Sequence, residues 1–163
     1  MQSAPIPEND AARVCALEGL NLLDTAPEER FDNITKKALE RFQVPISTIT
    51  LVDKNREWFK SVQGLSNKEG RRDISFCGHA LMSEVILIIE DTLADPRFSD
   101  NPMVKGDPFI RFYAGKSLYD RASHLPVGVF CVKDKKPRKM NAKDISDFLE
   151  LAKQAEDEIN KKT

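Results

Sequence analysis

At 163 residues the chain has the length of one domain and can bury most of its apolar surface around one core. Its 25 lysines and arginines against 26 aspartates and glutamates give a formal charge of −1, which argues against nucleic acid or an anionic membrane as a partner. The first ten residues carry no export pattern, the longest apolar stretch (85–89) is far below the ~20 residues that span a bilayer, and Cys15, Cys77 and Cys131 are neither paired nor zinc-spaced, so a cytoplasmic protein is expected.

The first expected element is a helix over 8–22, with Ala12, Cys15, Ala16, Gly19, Leu22 and Leu23 on its buried side. A second helix begins near Thr25, where Thr25 and Glu28 have capping-box spacing and Pro27 occupies the first turn. Phe31, Ile34, Ala38 and Phe42 form its core face. Residues 45–53 are rich in β-branched side chains and read as a strand, with Pro45 tolerated at its start. After a turn at Lys54 and Asn55, residues 56–63 return as a second strand. Strict alternation puts Phe59, Ser61 and Gln63 on one face and Trp58, Lys60 and Val62 on the other.

Residues 64–73 form a polar, basic loop, and Ser75 caps a short helix over 76–82. The apolar run 85–90 predicts a strand covered on both faces. Residues 91–108, with three prolines, predict a long ordered loop. Residues 109–118 and 127–134 make a second hairpin joined by an irregular stretch, 119–126. Asn141 and Asp144 cap a terminal helix with Ile145, Phe148, Leu149, Ala152, Ala155 and Ile159 along one side. This order of elements predicts an α+β domain: a central antiparallel sheet covered by helices. Its expected parts are the first helix (1–22), the sheet and pocket (23–140) and the terminal helix (141–163).

Cys77, near a helix start and close in sequence to Arg72 and His79, is either a reactive thiol or a small buried apolar side chain. His79 can titrate near neutral pH, touch an anion, or serve as a hydrogen-bonded structural residue. In the strand beginning at Phe109, alternation sets Ile110, Phe112 and Ala114 against Phe109, Arg111 and Tyr113. Arg111 and Tyr113 would give a pocket wall a cation and a hydroxyl. Asp91, Asp95, Arg97, Asp100 and Asn101 lack the order of a calcium loop, and His79 and His124 are too far apart to suggest zinc, so no metal or other cofactor is expected. The basic run 133–139 reads as a solvated loop or as a contact for phosphate or an acidic partner.

Several stretches together resemble the GAF family, in the branch found with bacterial histidine kinases and diguanylate cyclases. They are Leu-Asn-Leu-Leu-Asp-Thr-Ala-Pro-Glu-Glu-Arg-Phe-Asp from Leu20, Arg-Asp-Ile-Ser-Phe-Cys-Gly-His-Ala from Arg72, Asp91 with Asp95-Pro96-Arg97-Phe98 and Asn101-Pro102, and Ile110 to Gly115 with Gly128 to Asp134. The resemblance implies a sheet of about five or six strands, terminal helices on one face and a short-helix and loop pocket on the other. It also implies a regulatory small-molecule sensor without catalysis of its own; from the residue readings above, Phe59, Cys77, His79, Asp91, Arg111 and Tyr113 are the expected ligand-binding set. Partners expected by resemblance are an unidentified small molecule, a second copy in a homodimer, and a kinase or diguanylate cyclase output module. Cyclic nucleotides, bilins, haem and metabolites are family ligands, and other members are ligand-free dimerisation platforms. One branch reduces methionine sulfoxide through thiols. Here Cys77-Gly78-His79 lacks the adjacent cysteine and histidine of many bilin sites, and 119–126 replaces the tight Asp-Gly turn of relatives with a longer, glycine-free one.

Overall fold

The computed structural model describes residues 1–161, so Lys162 and Thr163 of the expected terminal helix lie outside the described residues. Six strands form one antiparallel sheet in the order β3-β2-β1-β6-β5-β4. They are β1 (Ile46–Val52), β2 (Arg56–Gln63), β3 (Glu69–Arg71), β4 (Leu87–Ile89), β5 (Phe112–Asp120) and β6 (Leu125–Asp134). β1 lies at the centre, buried along its whole length between β2 and β6, as its β-branched composition favours.

One face of the sheet carries the helices α1 (Asp10–Gly19), α2 (Glu29–Phe42) and α5 (Ala142–Ile159) over a core that includes Phe31, Trp58, Phe112, Phe130 and Phe148. The other face carries α3 (Phe76–Ala80), a 3-10 turn (Thr92–Ala94) and α4 (Pro102–Lys105) over a second core with Phe76, Phe98, Tyr113 and Val129. The expected α+β architecture is therefore the observed one.

Local signals hold where the partner is near in sequence. Asn141 and Asp144 form both bonds of the capping box, and the Ser75 hydroxyl oxygen accepts from the Gly78 N–H at 2.9 Å. Where the partner is distant the reading changes. Thr25 does not cap α2, which starts at Glu29; its hydroxyl donates to Leu22 O and accepts from Lys60 Nζ. In α1 the buried side is Arg13 and Leu17, while Ala12, Cys15 and Gly19 are exposed. In α5 Leu151 is buried and Leu149 is 38 % exposed.

Alternation in β2 is broken at Lys60, because Ile49 pairs with Ser61 and Thr50 with Phe59, leaving Lys60 as the extra residue of a β-bulge. Ser61 and Gln63 consequently turn to α2, where both reach Thr35, and leave Phe59 on the opposite face. β5 begins only at Phe112: Phe109 has φ +57° and is 53 % exposed, and Ile110 packs on the opposite side of the sheet from Phe112. β4 (Leu87–Ile89) is shorter than the expected 85–90 and is an edge strand, with Ile86 and Ile88 towards the α5 core and Leu87 and Ile89 towards the α3 core. Only Ile89 is buried and Val85 is 69 % exposed, so the strand is partly covered on each face and not enclosed. Half of the supposed irregular stretch 119–126 is strand, 119–120 ending β5 and 125–126 opening β6, and 121–124 form a turn in which Asp120 accepts from the Ser123 N–H and His124 takes φ +61°.

Candidate functional site

On the sheet face opposite the terminal helices, a cavity of about 500 Å3 opens between β2, β3, the 64–67 loop and the 103–108 segment. Phe59 and Glu57 reach it from β2, Lys133 and Lys135 from β6 and beyond, with Ile74 and Met103 in the roof and Arg71 and Asp107 at the rim. The bulge at Lys60 makes this possible, since it sends Phe59 and Glu57 to the cavity while Trp58, Lys60 and Ser61 face the helices.

Two ionisable groups distinguish the cavity. Glu57 is 2 % exposed and its Oε1 has no hydrogen-bond partner. Burial pushes its carboxyl up to about 8 against the opposing pull of Lys133. Lys133 is also 2 % exposed, and among the described residues no carboxylate comes within ion-pairing distance of its ammonium. Its neighbours are the rings of Phe76 and Tyr113, at 5.9 and 6.0 Å from Nζ. The basic run 133–139 was read as a solvated loop or as a contact for phosphate or an acidic partner; the solvated reading fails for Lys133, which belongs to β6 and points inward. Neither residue stands out in the sequence, where each looks like a charge on the solvent side of a strand.

Cys77 and Tyr113 lie deeper. Tyr113 donates to Cys77 Sγ at 3.3 Å, and its ring stacks on Phe76 at 5.2 Å. Gly115 permits this, because a Cβ there would overlap the tyrosine hydroxyl. Cys77 Sγ also reaches Thr50 at 3.7 Å, while Cys131 meets the Thr48 hydroxyl at 3.0 Å. Both thiols are free and fully buried. Burial, and then Cys131, raises the Cys77 thiol well above its ordinary range. Cys131 moves down, because Cys77, Lys133 and Thr48 outweigh its own burial.

The remaining expected residues fall elsewhere. His79 sits under the amino-terminal segment, with Nε2 3.1 Å from Gln2 O and its ring edge-on to Phe98 at 4.7 Å. Burial lowers its pKa and favours the neutral ring. Asp91 and Arg111 pair with each other at 3.1 Å, and Asp91 also caps the 3-10 turn. Asp91 lines a wider cleft of about 940 Å3 along β4, with Arg97, Arg138 and Lys139. There Arg97 is engaged by Asp95 and Arg138 by Asp134. The six residues thus divide: Phe59 in the cavity, Cys77 and Tyr113 beneath α3, and His79, Asp91 and Arg111 outside it.

The roof is anchored to α1. Arg72, 3 % exposed, makes two 2.8 Å bonds to Asp10 and donates to the carbonyls of Asp53 and Lys54, while its own carbonyl accepts from Ser75 N and Oγ. Buried Arg13 shares Asp10 at 2.8 Å.

Residues 26–159 match the GAF domain. The chain belongs to the GAF family. GAF domains are signalling and small-molecule-sensing modules, and this chain shares 39 % identity over 138 residues with a cyclic di-GMP phosphodiesterase of Pseudomonas aeruginosa. The match covers 85 % of this chain and 23 % of that protein, so the chain spans about a quarter of the relative's length. The fold is also that of the GAF domain of an Acinetobacter phosphoenolpyruvate-protein phosphotransferase (17 % identity, TM-score 0.63, 91 % of this chain and 92 % of that one). A free methionine-R-sulfoxide reductase of Neisseria meningitidis is similar to the same degree (17 % identity, TM-score 0.63, 98 % and 96 % covered). No helix among the described residues of this GAF domain is long and apolar enough to cross a membrane.

Proposed function

We propose that this GAF domain is a cytoplasmic sensory module without catalysis of its own, which binds a small molecule in the cavity between β2, β3 and the 103–108 segment and passes the binding energy to its terminal helices. The observation that carries the reading is the cavity itself: about 500 Å3 is within the usual range for small-molecule sites, and it is lined by apolar side chains, by Glu57 with an unpartnered Oε1, and by the buried Lys133. A ligand drawing on α3 or the segment before it would act on Arg72, whose side chain holds Asp10 at the start of α1. The output would be a kinase or cyclic-di-GMP enzyme module, in the same protein or another, with a homodimer as the unit that responds. The similarity to part of a cyclic di-GMP phosphodiesterase supports that setting.

Thermal denaturation across a metabolite library tests the reading. Ligand at about a hundred times its dissociation constant adds roughly 2.7 kcal/mol, enough to raise Tm by about 5–10 °C in a domain of this size. Compounds that stabilise the wild type are expected to lose their effect in Met103→Trp, where the larger ring fills the cavity. A library without a stabilising compound, or stabilisation that survives in Met103→Trp, would contradict the proposal.

A further inference from the structure

Each of the other deeply buried cations has oxygen partners. Lys60 Nζ holds Thr25 Oγ1 at 2.7 Å, Ala26 O at 2.6 Å and Glu28 at 2.8 Å, and Arg13 and Arg72 share Asp10. Lys133 has two aromatic rings at the outer limit of a cation–π contact and, among the described residues, no carboxylate within ion-pairing distance, with Glu57 and the Cys131 thiol acting on it only from farther off. A buried charge is retained at a cost of several kcal/mol unless it is paired, so an ammonium held this way beside an open cavity is placed to receive a negative group. At the mouth Arg71 is held by Asp73, and Lys135 stands against Asp107, so the rim is close to neutral and the inward cation is Lys133. Glu57 lines the same cavity without forming an ion pair with Lys133, and its orphaned oxygen needs a hydrogen-bonding partner of its own.

Resting on the reading that this cavity is the sensory site, we infer that its ligand is a small molecule bearing a carboxylate or phosphate, which Lys133 takes as counter-ion while Glu57 meets a hydroxyl or amide on the same molecule. The two contacts together fix the ligand's orientation. They also disfavour purely apolar or cationic compounds, which would leave Lys133 unpaired or repelled.

The test uses amide correlation spectra by NMR, titrated at constant ionic strength with acetate, lactate, succinate and inorganic phosphate, and with acetamide, glycerol and ethanolamine as neutral and cationic counterparts. The carboxylates and phosphate are separate arms, and either satisfies the inference. The expected result is saturable movement of the amides around Glu57, Ser66 and Lys133 with at least one anion, weakened about tenfold or more in Lys133→Met and lost in Met103→Trp. Lys133→Met should fold, since it exchanges a buried charge for an apolar chain of similar length. Binding in the wild type of the neutral or cationic probes alone, lost in Met103→Trp, would overturn the anionic ligand and leave the sensory site standing. If no probe binds, the inference fails, and if the metabolite library is also silent the sensory reading fails with it.

Discussion

Phe148→Ala is expected to lower the unfolding free energy by about 3–5 kcal/mol, enough to leave a domain of ordinary stability close to unfolding. Phe148 is completely buried at the junction of α5 with the sheet, its ring 4.9 Å from Phe130 and 6.1 Å from Phe42. It therefore joins α5 to β6 and to α2 at one point, and an alanine leaves a cavity that three rigid elements cannot close. Leu149, the next residue, is 38 % exposed, and Leu149→Ala should cost less than about 1 kcal/mol. Urea unfolding of the two variants measures the contrast, and equal losses would mean that α5 docks by another face.

Arg72→Met is expected to cost about 2–3 kcal/mol, the low side for a broken buried ion pair, because Asp10 keeps 15 % of its side chain exposed. The change removes two bonds to Asp10 and those to the Asp53 and Lys54 carbonyls, and it loosens α1 from the segment that caps α3. Its signature is in acid. The bond to Arg72, with help from Arg13, holds the Asp10 carboxyl at about 2 against the opposing effect of burial, below the usual 3.8. A depressed folded-state pKa contributes stability that is complete above about pH 4 and is lost as pH falls from about 4 towards 2. After solvent screening this amounts to ~1–2 kcal/mol. Urea midpoints between pH 2 and 5 should fall less steeply in Arg72→Met than in the wild type, together with faster amide exchange in α1. An unchanged acid slope would show that Asp10 draws its stabilisation from Arg13 alone.

What the sequence disclosed follows the range of the interactions. Caps at Ser75 and Asn141 need partners three residues away, and β1 needs only its own β-branched composition, so these were legible. The buried side of α1 was not, because Arg13 looks like a surface residue until Asp10, and through it Arg72, is brought alongside from 62 residues away. The bulge at Lys60 depends on the pairing of two strands and on Lys60 finding Thr25, Ala26 and Glu28, none of which leaves a mark in strand periodicity. The same limit hid Glu57 and Lys133. Their distinction is burial, with an unpartnered oxygen on Glu57 and no carboxylate at ion-pairing distance from Lys133 among the described residues, which only the packed structure reveals. Tyr113 and Phe59 were legible from strand alternation, whereas the same alternation misplaced Arg111 by extending β5 past its true start at Phe112.

Native mass spectrometry of freshly purified wild type and Met103→Trp tests the central claim most directly, since it weighs any retained ligand and the oligomer together. The account predicts a small non-covalent mass on the wild type that is missing from Met103→Trp. The same mass on both, or none on either, would contradict a ligand site between β2, β3 and the 103–108 segment.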